Sequence, residues 1–159
     1  MPKDFTQKFF NNIGVDLGTS KTLVYLKGKG IIVNEPTVVA TNNKTGQILA
    51  IGREAEEMLG KTPLHINAVK PLSSGVISDF EVTEKMLHYF LEKAKTGGIW
   101  GRIFDWSRLV IGVPTGGTEV EKRAVEDVAR SAGAKEVYLI EEPMAVALGA
   151  QLEIKESKG

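Results

Sequence analysis

Apolar positions along the chain change their period several times, and each change marks an element. IGVDL at 13–17 is apolar apart from Asp16, GTSK is turn-like, and TLVYL at 22–26 resumes a β-branched and aromatic run. KGKG at 27–30 predicts a second turn. IIVNEP and TVVAT predict two short strands that break at Pro36. NNKTG at 42–46 predicts a hairpin loop before the strand QILAIG. This opening reads as an antiparallel meander. Residues 54–59 predict a short helix stopped by Gly60, within a small helical insertion over 52–78. Asp79 is placed to cap the next helix, whose Met86, Leu87, Phe90, Leu91 and Ala94 recur at period 3.6. RLVIGVP at 108–114 is nearly continuous apolar sequence, the pattern of a strand buried on both faces. Thr118 and Glu121 form a capping box for a helix with an expected inner face of Val120, Ala124, Val125 and Val128. VYLI at 137–140 is the expected parallel partner, reached by a right-handed crossover, and Glu141-Glu142-Pro143 opens a last helix. The fold class is α/β: a mixed sheet of antiparallel meander plus βαβ unit.

Composition narrows the function. The chain has 159 residues, enough for one domain with a core of its own. Twenty Lys+Arg balance twenty Asp+Glu, so no global basic field points to nucleic acid. With no cysteine there is no disulfide scaffold, thiolate metal site or thiol nucleophile. No apolar run approaches the ~20 residues that span a bilayer, which predicts a cytoplasmic protein whose contact with a membrane is peripheral. The first twelve residues stand apart. Phe5, Phe9 and Phe10 fall on one side of a helix, flanked by Lys3 and Lys8. The polar tail at 151–159 reads as a linker or a cut.

Three motifs carry candidate chemistry. Asp16-Leu17-Gly18-Thr19-Ser20-Lys21 sits between two strands. Glycine lets backbone approach a ligand, successive N–H groups in such a turn can hold an anion, and a carboxylate just before it can hold water around a phosphate-bound Mg²⁺. Taken alone it reads first as an ordinary hairpin turn, because short Gly-Thr turns are common, and it is neither a Walker loop nor a Rossmann fingerprint. Glu141-Glu142-Pro143 lies at a strand end, where parallel sheets hold ligands, and there a carboxylate can orient a water; the same residues also suit a helix N-terminus. GVISDF at 75–80 reads locally as a turn and a cap. His65 and His88 are isolated in sequence, which argues against a metal site of their own.

Together these motifs resemble the MreB family of bacterial actins, within the actin–Hsp70–sugar kinase superfamily. IGVDLGTSKTLVY is similar to the superfamily's first phosphate loop, and KGKGIIVNEPTVVA, IGREAEEMLGKTP, GVISDFEVTEKML, VIGVPTG, EVEKRAV and VYLIEEPMA resemble MreB over residues 13–150. The resemblance implies a ribonuclease-H-like ATPase half, residues 13–150, with ATP and Mg²⁺ as ligands. It implies that Asp16 positions Mg²⁺ through water, that Gly18, Thr19, Ser20 and Lys21 contact phosphates, and that Glu142 orients the hydrolytic water. It further implies a filament that self-associates at the inner face of the cell membrane, anchored through residues 1–12, controlling rod shape with cell-wall elongation partners such as RodZ and MreC. Ser20-Lys21 departs from the family's usual Ala-Asn, and the segment IWGRIFDW at 99–106 is unusually rich in Trp. The family is about twice as long, so the resemblance implies the first of two halves that close over the nucleotide. A non-catalytic binding module, or an Hsp70-like or kinase-like ATPase of the same superfamily, remains the alternative.

Overall fold

The computed structural model describes residues 11–61, 63–94 and 107–152. Strands β1 (Asn11–Leu17), β2 (Lys21–Leu26) and β3 (Gly30–Pro36) form the antiparallel meander. Pro36 lacks an N–H for the ladder, and pairing with β2 stops at its contact with Lys21. The chain then leaves this sheet. β4 (Val39–Asn42) is the centre of a second sheet, in the order β5-β4-β6, with β5 (Ile48–Ile51) and β6 (Ile66–Val69) antiparallel on either side. The meander is therefore split between two sheets. Within 52–78 lie one six-residue helix, α1 (Arg53–Met58), then β6 and a tight hairpin of β7 (Leu72–Ser73) and β8 (Val76–Ile77). More of that stretch is strand than its composition suggests, because β4 offers a free edge that β6 fills.

The main sheet runs β10-β9-β1-β2-β3. β9 (Ser107–Val113) lies parallel to both β1 and β10 (Glu136–Glu141). Helices α2 (Phe80–Ala94) and α3 (Glu119–Ser131) pack on one face. Asp79 caps α2, its Oδ1 accepting from Val82 N at 3.0 Å. Phe90, Met86 and Leu87 are fully buried against Ile13, Val15, Val24, Leu109 and Ile111, each worth about 1.5–3 kcal/mol of burial. Thr118 and Glu121 close the expected capping box on α3.

Two expectations change. The inner face of α3 is Val125, Val128 and Ala129, while Val120 is 79% exposed. At 100° per residue, Val120 lies about 140° around the helix from Val125, so one stripe does not hold both. β9 is also buried on one face only. Leu109, Ile111 and Val113 enter the core, but Val110 is 40% exposed on the opposite face. There, among the described residues, the sheet meets α4 (Glu142–Gly149), none of whose residues is buried.

Candidate functional site

Strand alternation decides what faces the open side. Val15 and Leu17 are buried in the core, so Asp16 projects the other way from the end of β1. Gly18 turns the chain at once, its N–H donating to Lys21 O at 3.1 Å. A Cβ on Gly18 would stand 2.7 Å from that same oxygen, so only glycine closes this turn. The next two amides, of Thr19 and Ser20, donate to no protein acceptor among the described residues.

The turn is held from beneath by two threonines whose role the sequence did not announce. Thr37 Oγ1 donates to Gly18 O at 2.7 Å and lies 3.0 Å from Thr22 Oγ1, and both threonines are fully buried. The single proton of Thr37 is committed to a carbonyl, so Thr22 must be the donor in the Thr22–Thr37 bond. Thr37 N also donates to Ser20 O at 3.0 Å. From the side, Gly75 N donates to Thr19 Oγ1 at 2.8 Å, tying the turn to the β7–β8 hairpin.

These groups line an open cleft of about 1020 Å³. Gly14, Val110 and Gly112 form its floor. Asp16, Gly18 and Thr19 stand on one side, Ser74, Gly75 and Pro114 at the end, and Glu142, Ala145 and Val146 of α4 opposite. Glu142 lies directly over Gly112: a Cβ added there would meet Glu142 Cγ at 3.7 Å. Glu141 is the extended residue before α4 and does not line the cleft. Ser20 and Lys21 are exposed and also stand outside the lining; Lys21 shares its face of β2 with Leu23 and Tyr25, which do line it. Phe5, Phe9, Phe10, the segment 99–106 and most of the tail fall outside the described residues.

The cleft thus joins a glycine turn, the Thr19 hydroxyl and the carboxylates of Asp16 and Glu142 at the carboxyl ends of β1 and β10. Among the described residues no three His, Cys, Asp or Glu side chains gather into a protein cage for a metal. One or two carboxylates, completed by phosphate oxygens and water, is instead the usual donor set for Mg²⁺, and Asp16 and Glu142 fit that count. No helix of the described residues is long and apolar enough to cross a membrane.

Comparison with known proteins agrees with this geometry. The family model for MreB/Mbl protein matches residues 10–159. The cell shape-determining protein MreB of Escherichia coli (strain K12) is 45% identical over 163 aligned residues, covering 100% of this chain and 46% of that protein. Among solved structures, MreB5 of Spiroplasma citri bound to ADP superposes with a TM-score of 0.78 at 36% identity, covering 89% of this chain and 41% of that one. A MamK double helical filament matches with a TM-score of 0.74 at 25% identity, covering 89% and 44%. The chain spans less than half the length of these relatives. The fold they share is actin-like, and the chain belongs to the MreB/Mbl family.

Proposed function

We propose that these residues build one side of an ATP site in a filament-forming protein that determines rod shape. The observation that carries the reading is that the Asp16–Thr19 turn meets Glu142, far away in sequence, on one cleft. Gly18 lets the phosphates approach, while the amides of Thr19 and Ser20 and the Thr19 hydroxyl donate to them. Lys21, exposed at the start of β2 beside the lining, adds a positive charge that the phosphates can meet. Asp16 accepts from water around a phosphate-bound Mg²⁺, and when present that ion neutralises charge on the transferring phosphoryl group. Glu142 accepts a hydrogen bond from the attacking water and orients it, which Glu141, away from the cleft, does not. Assembly of like subunits into filaments is supported by the MamK filament match. Phe5, Phe9 and Phe10, with Lys3 and Lys8, supply a peripheral anchor to anionic lipid at the inner membrane face, where RodZ, MreC and the wall-elongation machinery would be met.

The test joins residues 1–159 to the part of the Escherichia coli relative that the match leaves uncovered. Turnover of Mg-ATP by this hybrid should fall on the order of 10²-fold with Glu142→Ala while affinity changes little, because water orientation acts in the transition state. Glu141→Ala should have the smaller effect. Greater damage from Glu141→Ala contradicts the assignment.

A further inference from the structure

We infer that Glu35 is a latch: its carboxylate fixes the angle at which the second sheet and α1 stand on the rest of the chain. Residues 38–69 form a body with a small core of their own, in which Val38, Ala40, Ala50 and Ala55 are buried apart from the main core. The chain enters and leaves this body at two places, Thr37 after β3 and Lys70-Pro71 before β7. Beside these crossings Val39 and Ile51, paired across β4 and β5, pack against the main core. Apolar contact holds two bodies together without fixing an angle, because it has no preferred direction. A hydrogen bond has one. Among the described residues one hydrogen bond joins residues 38–69 to the rest of the chain: Arg53 N donates to Glu35 Oε2 at 3.1 Å. Glu35 itself belongs to β3, where it pairs with Thr22 of β2, so the bond ties α1 to the main sheet.

Both ends of the bond are shaped for it. Arg53 is the first residue of α1, and the first amides of a helix have no acceptor within it. Gly52, at the capping position, has no side chain to offer, so the cap comes from another sheet. A carboxylate also suits the positive end of the helix dipole. Gly52 makes the room: a Cβ there would stand 2.9 Å from Glu35 Oε2 and 3.3 Å from Glu35 Cβ, and its φ of 75° is one that glycine adopts without strain. From the other side, Lys93 Nζ of α2 lies 3.7 Å from Glu35 Oε1 and 4.6 Å from the centre of the Tyr89 ring. The Lys93 side chain is 41% exposed, so this ion pair adds little, and the bond to Arg53 carries the fixing. Two stretches of sequence that lie outside the cleft, IIVNEP and IGREAEEM, thus meet at one carboxylate.

The test compares variants of the 159-residue chain by amide hydrogen exchange and by residual dipolar couplings, which report how one body is oriented against another. Glu35→Met keeps the length and removes the acceptor. It should speed exchange of the Arg53 amide by about tenfold or more while the amides of β1 and β9 keep their protection. In the unsubstituted chain one alignment should fit both bodies. In Glu35→Met the couplings of residues 38–69 should shrink relative to those of the main sheet, while each body keeps its internal pattern. Glu35→Gln keeps an acceptor oxygen at the same reach, and Lys93→Met keeps the bond intact; both should leave Arg53 exchange within about threefold of the unsubstituted chain and leave the single alignment unchanged. Glu35→Asp keeps the charge but stops one methylene short of Arg53 N, so it should behave like Glu35→Met. If Glu35→Met does not fold, Glu35→Asp against Glu35→Gln decides the same question. A protected Arg53 amide in Glu35→Asp, or an unchanged single alignment once the Arg53 amide is released, overturns the latch. Loosening by Lys93→Met as great as by Glu35→Asp overturns the assignment of the fixing to the Arg53 bond. None of these outcomes bears on the nucleotide reading, since every measurement is made without nucleotide.

Discussion

Replacing Thr37 by valine should destabilise the fold more than replacing Thr22, although the two side chains touch and are equally buried. The direction of the bonds sets the asymmetry. Thr22 donates to Thr37, and Thr37 donates to Gly18 O. Valine at 37 orphans two groups at once, the Gly18 carbonyl and the Thr22 hydroxyl. Leaving a buried polar group unpaired costs about 1–3 kcal/mol, so two cost about 2–6 kcal/mol; the gained methyl returns about 0.8 kcal/mol, and a net loss of about 1–5 kcal/mol follows. Valine at 22 only empties a lone pair on Thr37, whose own donation to Gly18 survives, and the methyl gain brings its net effect to within about 1 kcal/mol of zero. The double variant should lose less than the sum, since removing Thr22 Oγ1 also removes the orphan that Thr37→Val creates. Urea unfolding of the four proteins gives the cycle, and melting should follow with a drop of about 2–20 °C for Thr37→Val. Equal losses from the two single variants, or strict additivity, would refute the bond directions and the claim that the turn is anchored from below.

Other outcomes follow from the same structure. Arg108 hydrogen-bonds the Glu136 carboxylate at 2.6 Å and holds it below the usual carboxylate range. A depressed carboxylate contributes stability at neutral pH that is lost as pH falls through its folded value, so the melting temperatures of the unsubstituted chain and Glu136→Gln should converge below about pH 4; a gap constant with pH contradicts this. Val120→Lys should change stability by less than about 0.5 kcal/mol in urea unfolding, whereas Val128→Lys should unfold the domain, since only Val128 is buried. Liposomes of anionic lipid should carry the chain on flotation, and Phe9→Glu with Phe10→Glu should release it; equal flotation of both proteins removes the anchor from the account.

The elements were legible where local pattern and tertiary context agree. The period-3.6 stripe of α2, the Asp79 cap and the Thr118–Glu121 box are short-range signals, and each forms as read. The motif residues Asp16, Gly18, Thr19 and Glu142 were also visible, because glycine turns and acidic strand ends are local features. What the pattern could not express is partnership across long separations. Thr37 looks like any strand threonine until β3 ends at Pro36 and brings it beneath Gly18. Gly75 reads as one glycine in a Ser-Ser-Gly turn until Pro114 and Thr19 arrive from either side. The apolar run of β9 suggested two covered faces because periodicity reports hydrophobicity and not cover. Val110 is apolar on a face that α4 leaves open.

The central claim is that the cleft between the Gly18 turn and α4 receives the phosphates of a nucleotide. The most direct measurement is a titration of the isotope-labelled 159-residue chain with Mg-AMPPNP, mapping every amide that moves. The account predicts saturable shifts centred on Gly18, Thr19, Ser20, Gly75 and Gly112, with binding weaker than micromolar because donors reach the ligand from one side only. Saturable shifts confined to another surface, with the amides of 18–20 unmoved, would contradict it.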